Sequence, residues 1–124
     1  MRIAVSGSTG FIGTALVNAL EHDGATVLRL VRRQSAVGEH AVYWNPAADE
    51  IDAARLEGVD AVVHLAGENI MGRWTAAKKR RLHDSRVGGT RLLCEALAEL
   101  EHPPAALVSA SAIGYYGDRG DEVL

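Results

Sequence analysis

Short uninterrupted apolar runs alternate along the chain with longer stretches in which apolar positions return every three or four residues. Runs of the first kind suit strands covered on both faces, and stretches of the second kind suit helices laid against them. Their alternation predicts βαβ units around a parallel sheet. Residues 3–6 read as a short buried strand. Phe11, Ile12, Ala15, Leu16, Ala19 and Leu20 then recur at helical spacing, closed by Asp23-Gly24, where glycine suits a helix C-cap. Residues 26–31 are β-branched and apolar enough for a second strand, and 34–39 read as loop. A third strand centres on Val42-Tyr43-Trp44 and ends at Asn45-Pro46, where proline removes a ladder donor. A weak short helix is expected over 51–56, and a fourth strand over 60–67. One helix is expected over 75–100, about 39 Å long, with Leu82, Gly89, Leu93, Ala96, Leu97 and Leu100 as its buried stripe and Pro103-Pro104 as its stop. A fifth strand over 106–110 leads into a loop over 111–117.

No repeat, low-complexity tract or long linker interrupts this order, and 124 residues with 48% apolar and 23% charged positions describe a single globular domain. Thirteen Lys plus Arg against 16 Asp plus Glu leave a formal charge of -3, so no global basic field points to nucleic acid or to a membrane surface. The single cysteine, Cys94, falls in the long helix and has no second cysteine or paired histidine at zinc spacing. No metal site is therefore expected. A reducing compartment, the cytoplasm, is the expected location: the first apolar run is too short for a signal peptide, and none approaches the roughly 20 residues that span a bilayer.

Candidate chemistry gathers at the carboxyl ends of the expected strands, the edge at which open α/β sheets bind ligands. Gly7-Ser8-Thr9-Gly10-Phe11-Ile12-Gly13 joins the first strand to the first helix. In such a turn one glycine makes the bend, one lets backbone amides approach a pyrophosphate and one admits close helix packing, while the helix N-terminus favours negative charge. The motif predicts dinucleotide binding in a Rossmann-like, doubly wound parallel sheet; a merely tight βα turn is the alternative. No Gly-Lys-Ser/Thr follows, which argues against a phosphate loop of the ATPase kind. An NAD-preferring site places an acid about 20 residues on, to hold the ribose 2′-hydroxyl. Val31-Arg32-Arg33 stands there instead. Two guanidiniums can clamp a 2′-phosphate, so NADP(H) is expected over NAD(H), with a solvated basic loop as the other reading.

Four segments together resemble a family. Gly7 to Gly13, Asp60 to Gly67, Ser85-Arg86-Val87-Gly88-Gly89-Thr90-Arg91-Leu92-Leu93 and Ser109-Ala110-Ser111-Ala112-Ile113-Gly114-Tyr115-Tyr116-Gly117 look like the extended or atypical short-chain dehydrogenase/reductases, the NAD-dependent epimerase/dehydratase family. Gly67-Glu68-Asn69-Ile70 with Gly72-Arg73-Trp74-Thr75 resembles, more narrowly, the nucleoside-diphosphate-sugar epimerase branch labelled SulA-like cell-division inhibitors. The resemblance spans nearly the whole chain. It implies hydride transfer at a carbinol or carbonyl carbon, with a small-molecule substrate such as a nucleotide sugar. Ser111 best matches the serine that hydrogen-bonds the reacting oxygen, with Ser109 as second choice; both also suit a role in satisfying a tight turn. Leu65, Ala66 and Gly67 resemble the segment along the cofactor ribose, and Ser109 is placed beside the cofactor too. His64, inside an apolar strand, reads as a packed, hydrogen-bonded histidine rather than an acid/base group. Arg73, Trp74, Arg86 and Tyr115 are candidate substrate contacts, and Trp44-Asn45 a candidate rest for adenine. Lys78-Lys79-Arg80-Arg81 with Arg86 and Arg91 reads as a solvated basic face or an attractor of nucleotide-sugar phosphates.

Two departures from the family pattern stand out. Arg86 occupies the usual asparagine position, and no tyrosine is followed four residues later by lysine: Tyr43 meets Ala47, Tyr115 meets Arg119 and Tyr116 meets Gly120. Residues 1–124 are expected to be the amino-terminal NAD(P)-binding portion of a longer fold, lacking later strands and a substrate domain, with a sheet edge left open. The long helix could pair with its copy in a homodimer. Two rivals remain: a non-enzymatic NADP(H)-sensing module, and a flavin or mononucleotide binder using the same turn.

Overall fold

The computed structural model describes residues 1–67, 71–111, 118 and 120–123. Six strands, β1 (Arg2–Ser6), β2 (Thr26–Val31), β3 (Ala41–Asn45), β4 (Glu50–Ile51), β5 (Ala61–His64) and β6 (Ala106–Ser109), form one sheet in the order β4-β3-β2-β1-β5-β6. All neighbours run parallel except the short β3–β4 pair. The chain steps outward from β1 through β2 to β3 and then returns to lay β5 on the other side of β1. That reversal is the topological switch point of a doubly wound α/β sheet, and it opens a crevice at the carboxyl ends of β1 and β5.

Side-chain alternation builds a core on each face of the sheet. Ile3, Val5 and Val27 pack with Val17 of helix α1 (Phe11–His22). Ala4, Leu28, Leu30, Val42, Trp44 and Val62 pack with Leu92, Leu93 and Leu97 of helix α2 (Ala76–Ala98). Helix α2 begins where the Thr75 hydroxyl accepts the Lys78 amide at 3.1 Å, and runs about 35 Å for its 23 residues. Gly24 takes φ +90 just past α1, as the expected helix stop requires.

Four details differ from the expectations. Residues 51–56 are not one helix: Glu50 and Ile51 pair with Asn45 and Trp44 as an antiparallel strand, and a 3-10 turn follows at Ala53–Leu56. The fourth expected strand stops at His64 rather than continuing to Gly67. Leu100 lies just past α2 and is only half-buried. Helix α1 buries Gly13 and Val17 with Leu16 and Leu20 half-buried, while Phe11, 97% exposed, and Ile12 face outward. The close seat of Gly13 on the turn sets that face; apolar spacing alone does not reveal it. At the outer side of the sheet β6 carries exposed Leu107 and Val108.

Candidate functional site

The crevice at the switch point is lined first by backbone. After Ser6 the chain bends at Gly7, whose φ of +70 disfavours a side chain. A Cβ there would lie 2.8 Å from the Leu65 carbonyl carbon and 2.9 Å from the Ala66 nitrogen. At Gly13 a Cβ would lie 1.9 Å from the Gly7 carbonyl oxygen, so the helix enters at a distance only glycine permits. Within the turn the Gly10 amide donates to Gly7 O at 3.2 Å, and the Thr14 amide to Gly10 O at 2.9 Å. Ser8 is buried and Thr9 exposed. Helix α1 has no side-chain cap at Gly10 and no acidic residue in its first turn. The amides of Phe11, Ile12 and Gly13 thus open a helix N-terminus with no anionic group of its own, an arrangement suited to phosphate.

Around this turn the strand ends collect most of the expected residues. Arg32 and Arg33 follow β2, the neighbour of β1, and both are exposed, with no carboxylate partner among the described residues. Leu65, Ala66 and Gly67 leave β5, half-buried at the first two and open at the third. The Arg86 guanidinium lies against Gly67, its carbon 3.1 Å from where a Cβ would stand. Ser109 ends β6 beside His64 in register, its hydroxyl at 3.5 Å from Ala110 O; Ser111 lies two residues on and is exposed. Tyr115 lies outside the described residues.

Trp74 and Arg86 share an open pocket of about 290 Å³ with Lys79, Leu82 and His83. Arg73 is exposed beside it without lining it. Lys79 belongs to the basic run read from sequence as a solvated face or a phosphate attractor, whereas Leu82 and His83 carry no such expectation, although positions 79, 82, 83 and 86 share one helix face and that spacing could have found them. Arg80 and Arg81 are exposed, as a solvated face requires. Trp44 corrects an expectation: its ring is 3% exposed and stands edge-on to His64 at 5.9 Å between centroids, so it offers no surface to adenine. Strand alternation turns it into the core on the α2 side.

One polar group of this edge is fully enclosed. Ser6 Oγ lies 2.6 Å from His64 Nδ1 and accepts the Leu65 and Ala66 amides at 3.1 and 3.2 Å. His64 Nε2 lies 3.0 Å from Thr90 Oγ1 of α2. Burial pushes the His64 pKa below its ordinary value, because a charged ring would lose its hydration there. The ring is a packed, doubly hydrogen-bonded histidine, as its place in an apolar strand suggests. Ser6 and Thr90 carry no local signal in the sequence; they meet His64 only through strand register and helix packing.

Known proteins share this architecture. The model of the NAD dependent epimerase/dehydratase family matches residues 3–123. Epimerase family protein Mb2239 of Mycobacterium bovis is 46% identical over 123 residues, which make up 98% of this chain and 40% of that protein. The crystal structure of human epimerase family protein SDR39U1 (isoform 2) with NADPH superposes with a TM-score of 0.78 at 37% identity, over 94% of this chain and 38% of that one. For the nucleoside-diphosphate sugar epimerase from Corynebacterium glutamicum the TM-score is 0.76 at 36% identity, over 100% of this chain and 25% of that one. The chain therefore spans about 40% or less of the length of these relatives. With a family match along almost its entire length, the chain belongs to the NAD dependent epimerase/dehydratase family.

Proposed function

We propose that residues 1–124 form the NADP(H)-binding portion of an epimerase or reductase acting on a nucleoside-diphosphate sugar in the cytoplasm. In this reading the turn Gly7, Ser8, Thr9, Gly10, Phe11, Ile12 and Gly13 holds the coenzyme pyrophosphate, its amides acting as donors. Arg32 and Arg33 take the 2′-phosphate, a role that their exposure and lack of a carboxylate partner among the described residues support. Leu65, Ala66, Gly67 and Ser109 line the ribose and nicotinamide side. The coenzyme, when bound, accepts or supplies hydride at a carbinol or carbonyl carbon. Ser111 donates a hydrogen bond from its hydroxyl to the reacting oxygen, keeping its proton, as negative charge builds there. Arg73, Trp74, Arg86 and Tyr115 contact the substrate: the pocket shared by Trp74 and Arg86 with Lys79 and His83 offers an aromatic face beside cationic groups, which suits a base and its diphosphate. The rest of the fold and the substrate domain belong to a longer protein, and α2 pairs with its copy in a homodimer.

The observation that carries the coenzyme assignment is the seat of Gly13 on Gly7 O beneath an uncapped helix N-terminus. Parallel titrations with NADPH and NADH test it. NADPH should bind at least about tenfold tighter, a difference of about 1.4 kcal/mol, and Arg32→Ala with Arg33→Ala should remove that preference while leaving NADH unchanged. Equal affinity, or tighter NADH, overturns the 2′-phosphate role of Arg32 and Arg33, and binding of neither overturns the coenzyme assignment itself. The second reading, an NADP(H)-sensing module, draws on the lack of a Tyr-x-x-x-Lys pair within residues 1–124. Tight binding without change at the nicotinamide absorbance band on any sugar nucleotide would select it.

A further inference from the structure

The enclosed Ser6–His64–Thr90 chain has no part in the function described above, and its hydrogen-bond directions follow from simple counting. A hydroxyl oxygen carries two lone pairs and one proton. The Ala66 amide donates to Ser6 Oγ at 3.2 Å, and the Leu65 amide is shared between Ser6 Oγ at 3.1 Å and Ser6 O at 3.2 Å. With both amides pointing at Oγ, the Ser6 proton is the one left for His64 Nδ1, 2.6 Å away, which favours an unprotonated Nδ1. The proton of the neutral ring then sits on Nε2 and is donated to Thr90 Oγ1 at 3.0 Å. Two backbone amides thus favour this histidine tautomer. A second proton at Nδ1 would face the Ser6 proton, and forming that bond would turn the hydroxyl and leave the Leu65 amide to Ser6 O alone.

Location turns this chain into more than a core contact. The peptide joining Leu65 to Ala66 is held by Ser6 Oγ through the Ala66 amide, and it is the same peptide on which Gly7 closes, at 2.8 and 2.9 Å from the Cβ position. Ser6 and His64 are partners in the β1–β5 register and frame the crevice. Facing the ring are Ser6 from β1, Trp44 from β3 and Thr90 from α2. No carboxylate among the described residues pairs with it. Arg86 lies one turn before Thr90 on α2, with its guanidinium on Gly67.

We propose that Ser6, His64 and Thr90 are positioning residues for the coenzyme cradle: they lock the Leu65–Ala66 peptide against the Gly7 turn, and coenzyme binding requires His64 to be neutral with its proton on Nε2. The proposal rests on the coenzyme reading given above. It makes the cradle acid-sensitive through a buried residue.

The test uses the protein with its histidines labelled with nitrogen-15. Two-bond proton–nitrogen correlations should show the His64 ring, assigned by the loss of its signals in His64→Gln, in the Nε2–H form. Ser6→Ala should weaken NADPH and NADH by the same factor, at least about tenfold, because it disturbs the shared peptide and not the 2′-phosphate site; Ser6→Thr, which keeps the hydroxyl, should restore binding. Thr90→Val, which removes only the outer hydroxyl, reads the same effect should Ser6→Ala fail to fold. Affinity for NADH, which has no 2′-phosphate to titrate, should fall by up to about tenfold per pH unit once the ring takes up its proton, and that fall should be absent from His64→Gln. An Nδ1–H form, or a Ser6→Ala affinity within about twofold of wild type, overturns this inference alone. A wild-type protein that binds neither coenzyme overturns the coenzyme reading and this inference with it.

Discussion

Gly13 and Gly10 belong to one motif, yet the structure assigns them different burdens. A methyl at Gly13 would strike backbone, the Gly7 carbonyl, at 1.9 Å, so the whole turn would have to open. A methyl at Gly10 would sit 3.4 Å from the same oxygen, on a backbone with φ −73 that any residue adopts. Gly13→Ala should therefore cost about 1–3 kcal/mol of stability or more and abolish coenzyme binding, whereas Gly10→Ala should keep the urea midpoint close to wild type. Urea unfolding of both variants checks this; a Gly13→Ala midpoint equal to wild type would sink the steric argument. At this scale the sequence was legible wherever a residue's role is local. Glycine spacing marks a turn whatever surrounds it, and an isolated histidine in an apolar run advertises a buried partner. Ser6 gives no such hint, because its bond to His64 crosses 58 positions of sequence. Trp44 was misjudged for a related reason: its place after the third strand is visible, but the face it takes depends on strand alternation and on Gly89 and Pro46 packing nearby.

The two helices show how the same element is finished in two ways. Helix α2 supplies its own acceptor, with Thr75 Oγ1 holding the Lys78 amide. Helix α1 supplies none, and its open end points into the crevice from the glycine turn. The difference is the one expected if the first cap is structural and the second is left for a ligand's phosphate. Thr75→Ala should accordingly lower global stability by about 1 kcal/mol, and circular dichroism during urea unfolding would record it; Thr75→Ser should restore most of the loss. An unchanged midpoint in Thr75→Ala would show that the Thr75 bond contributes nothing net. Elements with their own hydrophobic signature, β1, β2, β5 and α2, could be read directly, since burial on two faces or along one stripe leaves a pattern in the chain itself. Strand β4 could not. Its two residues exist as a strand only because Trp44 and Asn45 lie opposite them, and a pairing partner is tertiary information.

Across the molecule, both cores share one sheet, and His64 stands on the α2 side at the end of that sheet, 3% exposed, where folding withdraws it from water. Its pKa is depressed in the folded state by burial, so the sign of the pH effect follows. Below about pH 6.5 an unfolded histidine takes up a proton that the folded ring still refuses. Over that interval the unfolded state binds the extra proton, and stability falls as pH falls, by up to about 1.4 kcal/mol per pH unit, until the folded ring's own pKa is reached. Above the ordinary histidine pKa the contribution is complete and flat. Domains of this size are stable by only about 5–15 kcal/mol, so even one unit of such a slope is a measurable share. Urea unfolding at a series of pH values below 6.5 should show wild-type stability falling more steeply with acid than that of His64→Gln, whose amide binds no proton. Parallel curves for the two proteins would mean that the ring charges as readily folded as unfolded, and that its bonds to Ser6 and Thr90 place no restriction on its protonation.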